Sequence, residues 1–373
     1  MSSKAMKRLL LSARRFFGSS RLSPRSPLVR VAVEERGARL VVSAAPANTD
    51  VVVTTDSGQP TLHYDDDDEL VTLAVGASTK VIELSVPQRL RSARLVCADL
   101  AVSGKVEASE RLELSADEEI RVDGTVRAQD LVLTAGSVTV SKLLEAERLV
   151  VESRSLVDIA KLQASRRATV SAAESLAIES AYCALLQLAS GSARIHTLQG
   201  HVDADCNGDF ELLRLTGSAD VACRGNASVS FDAARASSSL RAAGDLSLQL
   251  SASDSFDLAL EAPTLNLPTI TSASSFDVVS DERDNRRRHV SARLRPLSTA
   301  GLHRRRGAGK VDVQGAAAQR WQSAVHDDVE ADSVAELRAT SDTGTLTLAE
   351  PLSWIDSIRR NVELAEEEKQ HTR

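Results

Sequence analysis

Residues 200–210 read GHVDADCNGDF and residues 217–227 read GSADVACRGNA. Gly200 recurs as Gly217, Cys206 as Cys223 and Gly208 as Gly225, each shifted by seventeen positions. Within the two copies Val202, Ala204 and Cys206, then Ala219, Val221 and Cys223, alternate with other residues. Period-two alternation is the pattern of a strand with one face in a core. The same skeleton at a fixed offset returns that face inward one coil later, which predicts a solenoid. Seventeen extended residues at about 3.3 Å each provide a perimeter of roughly 56 Å. Such a coil encloses little more than one layer of side chains.

The rhythm extends toward the N-terminus. VEASERLEL from 106 returns as VRAQDLVL from 126, LEAERLVV from 144 and LQASRRATV from 162, with Ala108, Ala128, Ala146 and Ala164 spaced by 20, 18 and 18. Earlier segments, VRVAVEE, ARLVVS, DVVVTT, LVTLAV and KVIELSV, carry shorter strand signals rich in β-branched residues. AGDLSLQL and TLNLPTI are looser turns of the same kind. A helix is the rival over residues 141–189, where SKLLEAERLVVESRSLVDIAKLQ is rich in helix formers. Register favours strand there, because the alanine–leucine pattern stays in phase with EEIRVDGTV, which cannot be helical.

The composition agrees with a narrow core. Of 373 residues 42% are hydrophobic but only 3% aromatic, so small and branched side chains must fill the interior. The fold expected is all-β, a single-stranded parallel β-solenoid (β-helix) of short 17–20-residue coils with a disordered basic insertion. Residues 1–27 form a presequence, 28–278 the solenoid, 279–310 the Arg-rich insertion, 311–358 the closing coils and 359–373 an acidic tail.

MSSKAMKRLLLSARRFFGSSRLSPRSP contains seven basic residues and no acid. Met6, Leu9, Leu10, Ala13, Phe16 and Phe17 fall on one side of a helical wheel, opposite Lys4, Lys7, Arg8, Arg14 and Arg15. That pattern predicts a mitochondrial presequence, a matrix destination and cleavage between Phe17 and Pro27. Without it the chain keeps 38 basic and 52 acidic residues, a net of −14. A general nucleic-acid partner is disfavoured at that charge. No run approaches eighteen apolar residues, so no membrane-spanning helix is expected.

Candidate sites are few. Cys206 and Cys223 read as small hydrophobes facing the core, with a reversible disulfide or soft-metal pair as the rival; zinc would need two further ligands, and His196 and His201 are poorly spaced for it. Cys97 and Cys183 stand alone. Asp65, Asp66, Asp67, Asp68 and Glu69 read as a solvated turn and not a calcium loop. Arg286, Arg287, Arg288, His289, Arg304, Arg305 and Arg306 could meet RNA or cardiolipin, but no aromatic residue interleaves them to stack bases. There is no Walker loop, dinucleotide-binding fingerprint, GxSxG elbow or HExxH, so no catalytic, cofactor-binding or metal residue is assigned.

Strands of the type GHVDADCNGDFELLRLTGSADVACRGNASVSF resemble the adhesin-like β-solenoid domain of many bacterial proteins of unknown function. The order of a basic leader, YDDDDEL, glycine-punctuated coils and a closing TGTLTLAEPLSWIDSI is similar to the animal proteins called family with sequence similarity 185, member A. The Arg-rich insertion departs from that pattern. The resemblance implies a β-solenoid in a mitochondrial protein without an assigned reaction, and it supplies no catalytic residues. A non-enzymatic scaffold or interaction protein, with self-association end to end, is the leading expectation. The alternatives are an RNA- or cardiolipin-binding module acting through the insertion, and a carbohydrate- or lipid-directed enzyme on a β-helix.

Overall fold

The computed structural model describes residues 18–24, 29–45, 50–76, 78–251, 254–267, 274–284, 286–296 and 334–349. Regular structure among them is entirely β, most of it parallel, and the chain divides into two compact units after Ile178.

In the first unit the parallel coils run through β8 (Ser92–Ser103), β9 (Lys105–Ala108), β10 (Arg111–Val122), β11 (Thr125–Ala135), β12 (Ser137–Ser153) and the beginning of β13 (Leu156–Cys206). Each coil contributes three short pairing stretches. Val106, Val126, Leu144 and Leu162 make one column of register partners. Leu112, Leu131, Leu149 and Ala168 make a second, and Leu100, Ile120, Val138 and Val157 a third. All are buried. Ala128, Ala146 and Ala164 are partners as their spacing predicts. A buried Val, Leu or Ile contributes about 1.5–3 kcal/mol, so a column repeated over several coils is the main stabilising feature. The helix rival at 141–189 fails for this reason: as strand, that stretch extends columns already set by its neighbours.

The N-terminal end of this unit does not follow chain order. Five further strands precede β8 beside β1: β2 (Arg30–Ala45), β3 (Val51–Thr55), β4 (Thr61–Asp65), β5 (Leu70–Ala74) and β6 (Val81–Pro87), followed by the two-residue β7 (Arg89–Leu90). β2 lies between β8 on one edge and β5 and β6 on the other, parallel to all three. β3 then pairs antiparallel with β6, and β4 with β5. β1 (Gly18–Leu22) adds antiparallel to β3. β1 lies within the stretch expected as presequence. Residues 1–17 are outside the described residues.

In the second unit the offset of seventeen is the literal register of the coils. β13 pairs with β14 (Phe210–Cys223) from Ala193↔Phe210 through Gly200↔Gly217 and Val202↔Ala219 to Cys206↔Cys223. Gly200 has φ +134° and Gly217 φ +148°, and a Cβ on Gly217 would sit 1.9 Å from the Gly200 carbonyl oxygen. Only glycine fits both the backbone and that approach. β15 (Ala227–Ala234), β16 (Ser238–Ala242) and β17 (Leu246–Gln249) continue the stack. Phe210, Phe231 and Phe256 are buried in this unit, the last two meeting edge to face at 6.2 Å.

Stacking then departs from chain order again. β22 (Ala335–Ser341) is inserted between β16 and β18 (Phe256–Ala262), and β23 (Thr345–Leu348) between β17 and β19 (Thr264–Asn266). Among the described residues the last coil in chain order is thus not the last in the stack. The free edge of β18 is covered by β21 (Arg288–Pro296), antiparallel, and β21 by β20 (Ser274–Arg283), also antiparallel.

This corrects the expected disorder at 279–310 as far as Pro296. Val290, Ala292 and Leu294 alternate into the core opposite Leu260, Leu258 and Phe256. Burial of that apolar triplet favours an ordered strand despite the charged residues around it. Residues 297–310, with Arg304, Arg305 and Arg306, lie outside the described residues, as do KVDVQG at 310–315 and the acidic tail. The solenoid is also not parallel throughout, since antiparallel strands finish each unit at one end.

Candidate interaction surface

Period-two alternation sends half of each coil outward, and the parallel register stacks those residues about 4.8 Å apart. Opposite charges there meet at coil spacing. Arg127 bridges Glu107 of the coil before, at 3.2 Å, and Glu145 of the coil after, at 2.6 Å. Glu107 also meets Lys105 at 2.6 Å and Arg89 at 3.5 Å. Burial pushes the Glu107 carboxyl up, but the Lys105 hydrogen bond and the charges of Lys105, Arg127 and Arg89 outweigh it and hold it below its ordinary value. Arg148 with Asp130, Arg166 with Glu147, Arg194 with Glu211 and Arg214 with Asp232 repeat the device, each partner one coil away. Sequence reasoning missed these pairs, although opposite charges seventeen to twenty residues apart were there to be found.

Cys206 and Cys223 are register neighbours, buried and free. Desolvation raises the first thiol to about 12 and the second to about 11. Both stay protonated, and a protonated buried thiol is a poor nucleophile and metal ligand. Cys97 and Cys183 are likewise buried, free and raised to about 12, chiefly by desolvation. His196 and His201 are half-buried on the wall of the coil. His201 Nδ1 lies 2.8 Å from Ser218 Oγ, and Nε2 lies 3.6 Å from Asp220. Among the described residues no three His, Cys, Asp or Glu side chains are grouped to hold a metal.

The acid run forms the exposed turn between β4 and β5. Asp65 Oδ1 accepts from the amides of Asp67 at 3.0 Å and Asp68 at 3.4 Å, Glu69 takes φ +52°, and its carboxylate meets Arg91 at 3.3 Å. Asp66 to Asp68 stay exposed. Four arginines of the hairpin are paired within the chain. Arg287 pairs with Glu261 and, at 3.6 Å, with Asp342; Arg288 is bidentate on Asp281 at 2.9 and 2.6 Å; Arg293 and Arg295 both reach Asp257. His289 lies 3.6 Å from Glu261 and 3.8 Å from Asp284. Arg286 is exposed. The pairs to Asp257, Glu261 and Asp342 fasten the hairpin to β18 and to the turn after β22.

The outer edge of the hairpin is β20, where Val278 and Val279 are 49% and 60% exposed. A bulge interrupts its register between Val278 and Ser280, and Asp277, Asp281 and Glu282 line it. Bulges and charges on an edge strand oppose the addition of another strand. Inside the first unit a void of about 10 Å³, no larger than one water, is lined by aliphatic side chains including Val31, Val42, Leu95 and Leu112. No helix among the described residues is long and apolar enough to cross a membrane.

No family model matches the chain, and no curated protein matches it. Among solved structures, a candidate adhesin of Bacteroides fragilis NCTC 9343 is similar over 64% of this chain and 98% of its own, at 11% identity and a TM-score of 0.30. A candidate cell adhesion protein of Clostridium sporogenes ATCC 15579 is similar over 88% of this chain and 96% of its own, at 6% identity and a TM-score of 0.16. Likeness at that level carries neither a residue's role nor a partner to this chain.

Proposed function

We propose that this chain is a non-enzymatic scaffold of the mitochondrial matrix, related to the family with sequence similarity 185, that binds a protein partner along the sides of its coils. The observation that carries this reading is the set of Arg–carboxylate pairs between adjacent coils, of which Glu107, Arg127 and Glu145 span three. They make a stiff, patterned lateral surface, whose exposed charges suit partner selection and register more than raw affinity. The bulged, acidic edge of β20 favours lateral docking over the end-to-end growth expected from the repeat alone. A net charge of −14 without residues 1–27 supports the scaffold over an RNA- or cardiolipin-binding module.

Proximity labelling in mitochondria with the full chain tests it. The reading predicts a specific set of protein neighbours that survives changing Arg304, Arg305 and Arg306 to Ser. Loss of those neighbours together with loss of retention on RNA or anionic liposomes would favour the binding module. A set indistinguishable from background would refute the scaffold. Fusing residues 1–27 to a fluorescent protein tests the compartment separately, and a diffuse cytosolic signal would refute it.

A further inference from the structure

We propose that the N-terminal leader ends before Gly18, and that Gly18–Ser23 stays on the mature protein as the edge strand that closes the first unit. The proposal rests on reading residues 1–17 as part of a cleaved leader. It narrows the cleavage window, which on sequence alone runs from Phe17 to Pro27.

Several independent contacts tie this segment down. β1 pairs in antiparallel register with β3 from Gly18↔Thr55 to Leu22↔Val51. Gly18 lies so close to the loop before β4 that an added Cβ would sit 2.2 Å from the Gly58 carbonyl oxygen. Gln59 Nε2 donates to the Ser19 carbonyl at 3.3 Å. The Arg21 guanidinium donates to Asp50 Oδ2 through Nε at 2.6 Å and also through its second terminal nitrogen.

Asp50 is the decisive partner. It is only 5% exposed, at the entry to β3, whose Val51 and Val53 are fully buried. A hydrogen bond from Ser23 and the Arg21 guanidinium hold its carboxyl below the usual range. Cleavage after residue 23 would remove both groups and leave a shielded carboxylate without them, and it would also strip the outer edge of β3. Arg21 is 70% exposed and the Asp50 side chain 7%, so the loss falls on the shielded carboxylate, which gives up hydrogen bonds that it makes in the fold. A protease acting on the unfolded leader is indifferent to this, but the product is not. The fold is complete only if the cut falls at or before the Phe17–Gly18 bond.

The test has two arms. N-terminal sequencing of the protein recovered from mitochondria should find a terminus no later than Gly18; a terminus between Ser19 and Pro27 in folded protein would overturn the proposal. In the second arm the full chain, a chain beginning at Gly18 and a chain beginning at Arg25 are compared by thiol labelling of the buried Cys97. The first two should label alike, and the third about tenfold faster or more. Asp50→Asn in the shortest chain should recover part of that loss, because it removes the charge left behind. Equal labelling of all three chains would overturn the proposal. An unprocessed protein would refute the leader reading, and the truncation series would still decide whether β1 belongs to the fold.

Discussion

Replacing Gly217 with Ala tests the stacking where the sequence is most regular. The added Cβ would lie 1.9 Å from the Gly200 carbonyl oxygen, with the Gly200 carbonyl carbon at 2.8 Å. Both obstacles are backbone, so one of two hydrogen-bonded coils must move. The backbone itself, at φ +148°, is one that an L side chain rarely adopts. Holding a non-glycine residue there costs about 1–3 kcal/mol, and overpacking adds about 1–3 kcal/mol. Partial relaxation overlaps the two, so a net loss of about 2–4 kcal/mol is expected, a large part of a stability of about 5–15 kcal/mol. Labelling of the buried thiols Cys183, Cys206 and Cys223 in native buffer reads opening of this unit directly. A loss of that size raises the rate about 30- to 700-fold when reclosing is fast, since each 1.4 kcal/mol is tenfold. Gly37→Ala is the control, because nothing lies within 4 Å of its added Cβ, and it should leave the rate unchanged. A Gly217→Ala chain within twofold of the parent would refute the coil register.

Glu107 predicts a pH effect. Its folded value lies below its ordinary one, so its contribution is present above the usual glutamate range near pH 4.3 and is lost as pH falls through the folded value. Glu107→Gln should lower stability by a few tenths to about 1 kcal/mol at pH 7 and flatten acid unfolding below about pH 4.3; identical acid curves would contradict the ladder. Replacing both Cys206 and Cys223 with Ala should cost about 1–3 kcal/mol as lost packing without changing the metal content measured by mass spectrometry, whereas stoichiometric zinc or copper lost on substitution would overturn the packed-core reading. Leu294→Ala, at a side chain 1% exposed opposite Phe256, should cost about 2–5 kcal/mol in a urea titration. A neutral result would return the hairpin to disorder.

Much of the fold was legible because the repeat is written in residues with one conformational or volumetric use. Gly200 and Gly217, Cys206 and Cys223, and the alanines at 128, 146 and 164 give the register before any coordinates do. The hairpin was hidden by composition. Its alternation of Val290, Ala292 and Leu294 is present in RHVSARLRP, but the arginines around them read as solvated charge and not as partners for Asp257, Glu261 and Asp281. The insertion of β22 between β16 and β18 has no local signature at all. Ser239 and Arg338 become neighbours through a register about a hundred residues long, and strand composition says nothing of partner or direction. The charge ladder was readable only once coil length was known.

The same insertion provides the sharpest test of how the coils stack. Ser239 and Ala259 both have Arg338 as register partner, from opposite edges of β22. The strand spacing of about 4.8 Å puts Ser239 within disulfide reach of position 338 and about twice as far from Ala259. Under mild oxidation the variant carrying Ser239→Cys and Arg338→Cys should form an intramolecular disulfide in the folded full chain, seen by mass spectrometry of a non-reduced digest, while Ser239→Cys with Ala259→Cys should not. A bond between positions 239 and 259, with none between 239 and 338, would mean that the coils stack in chain order and would contradict the architecture described here.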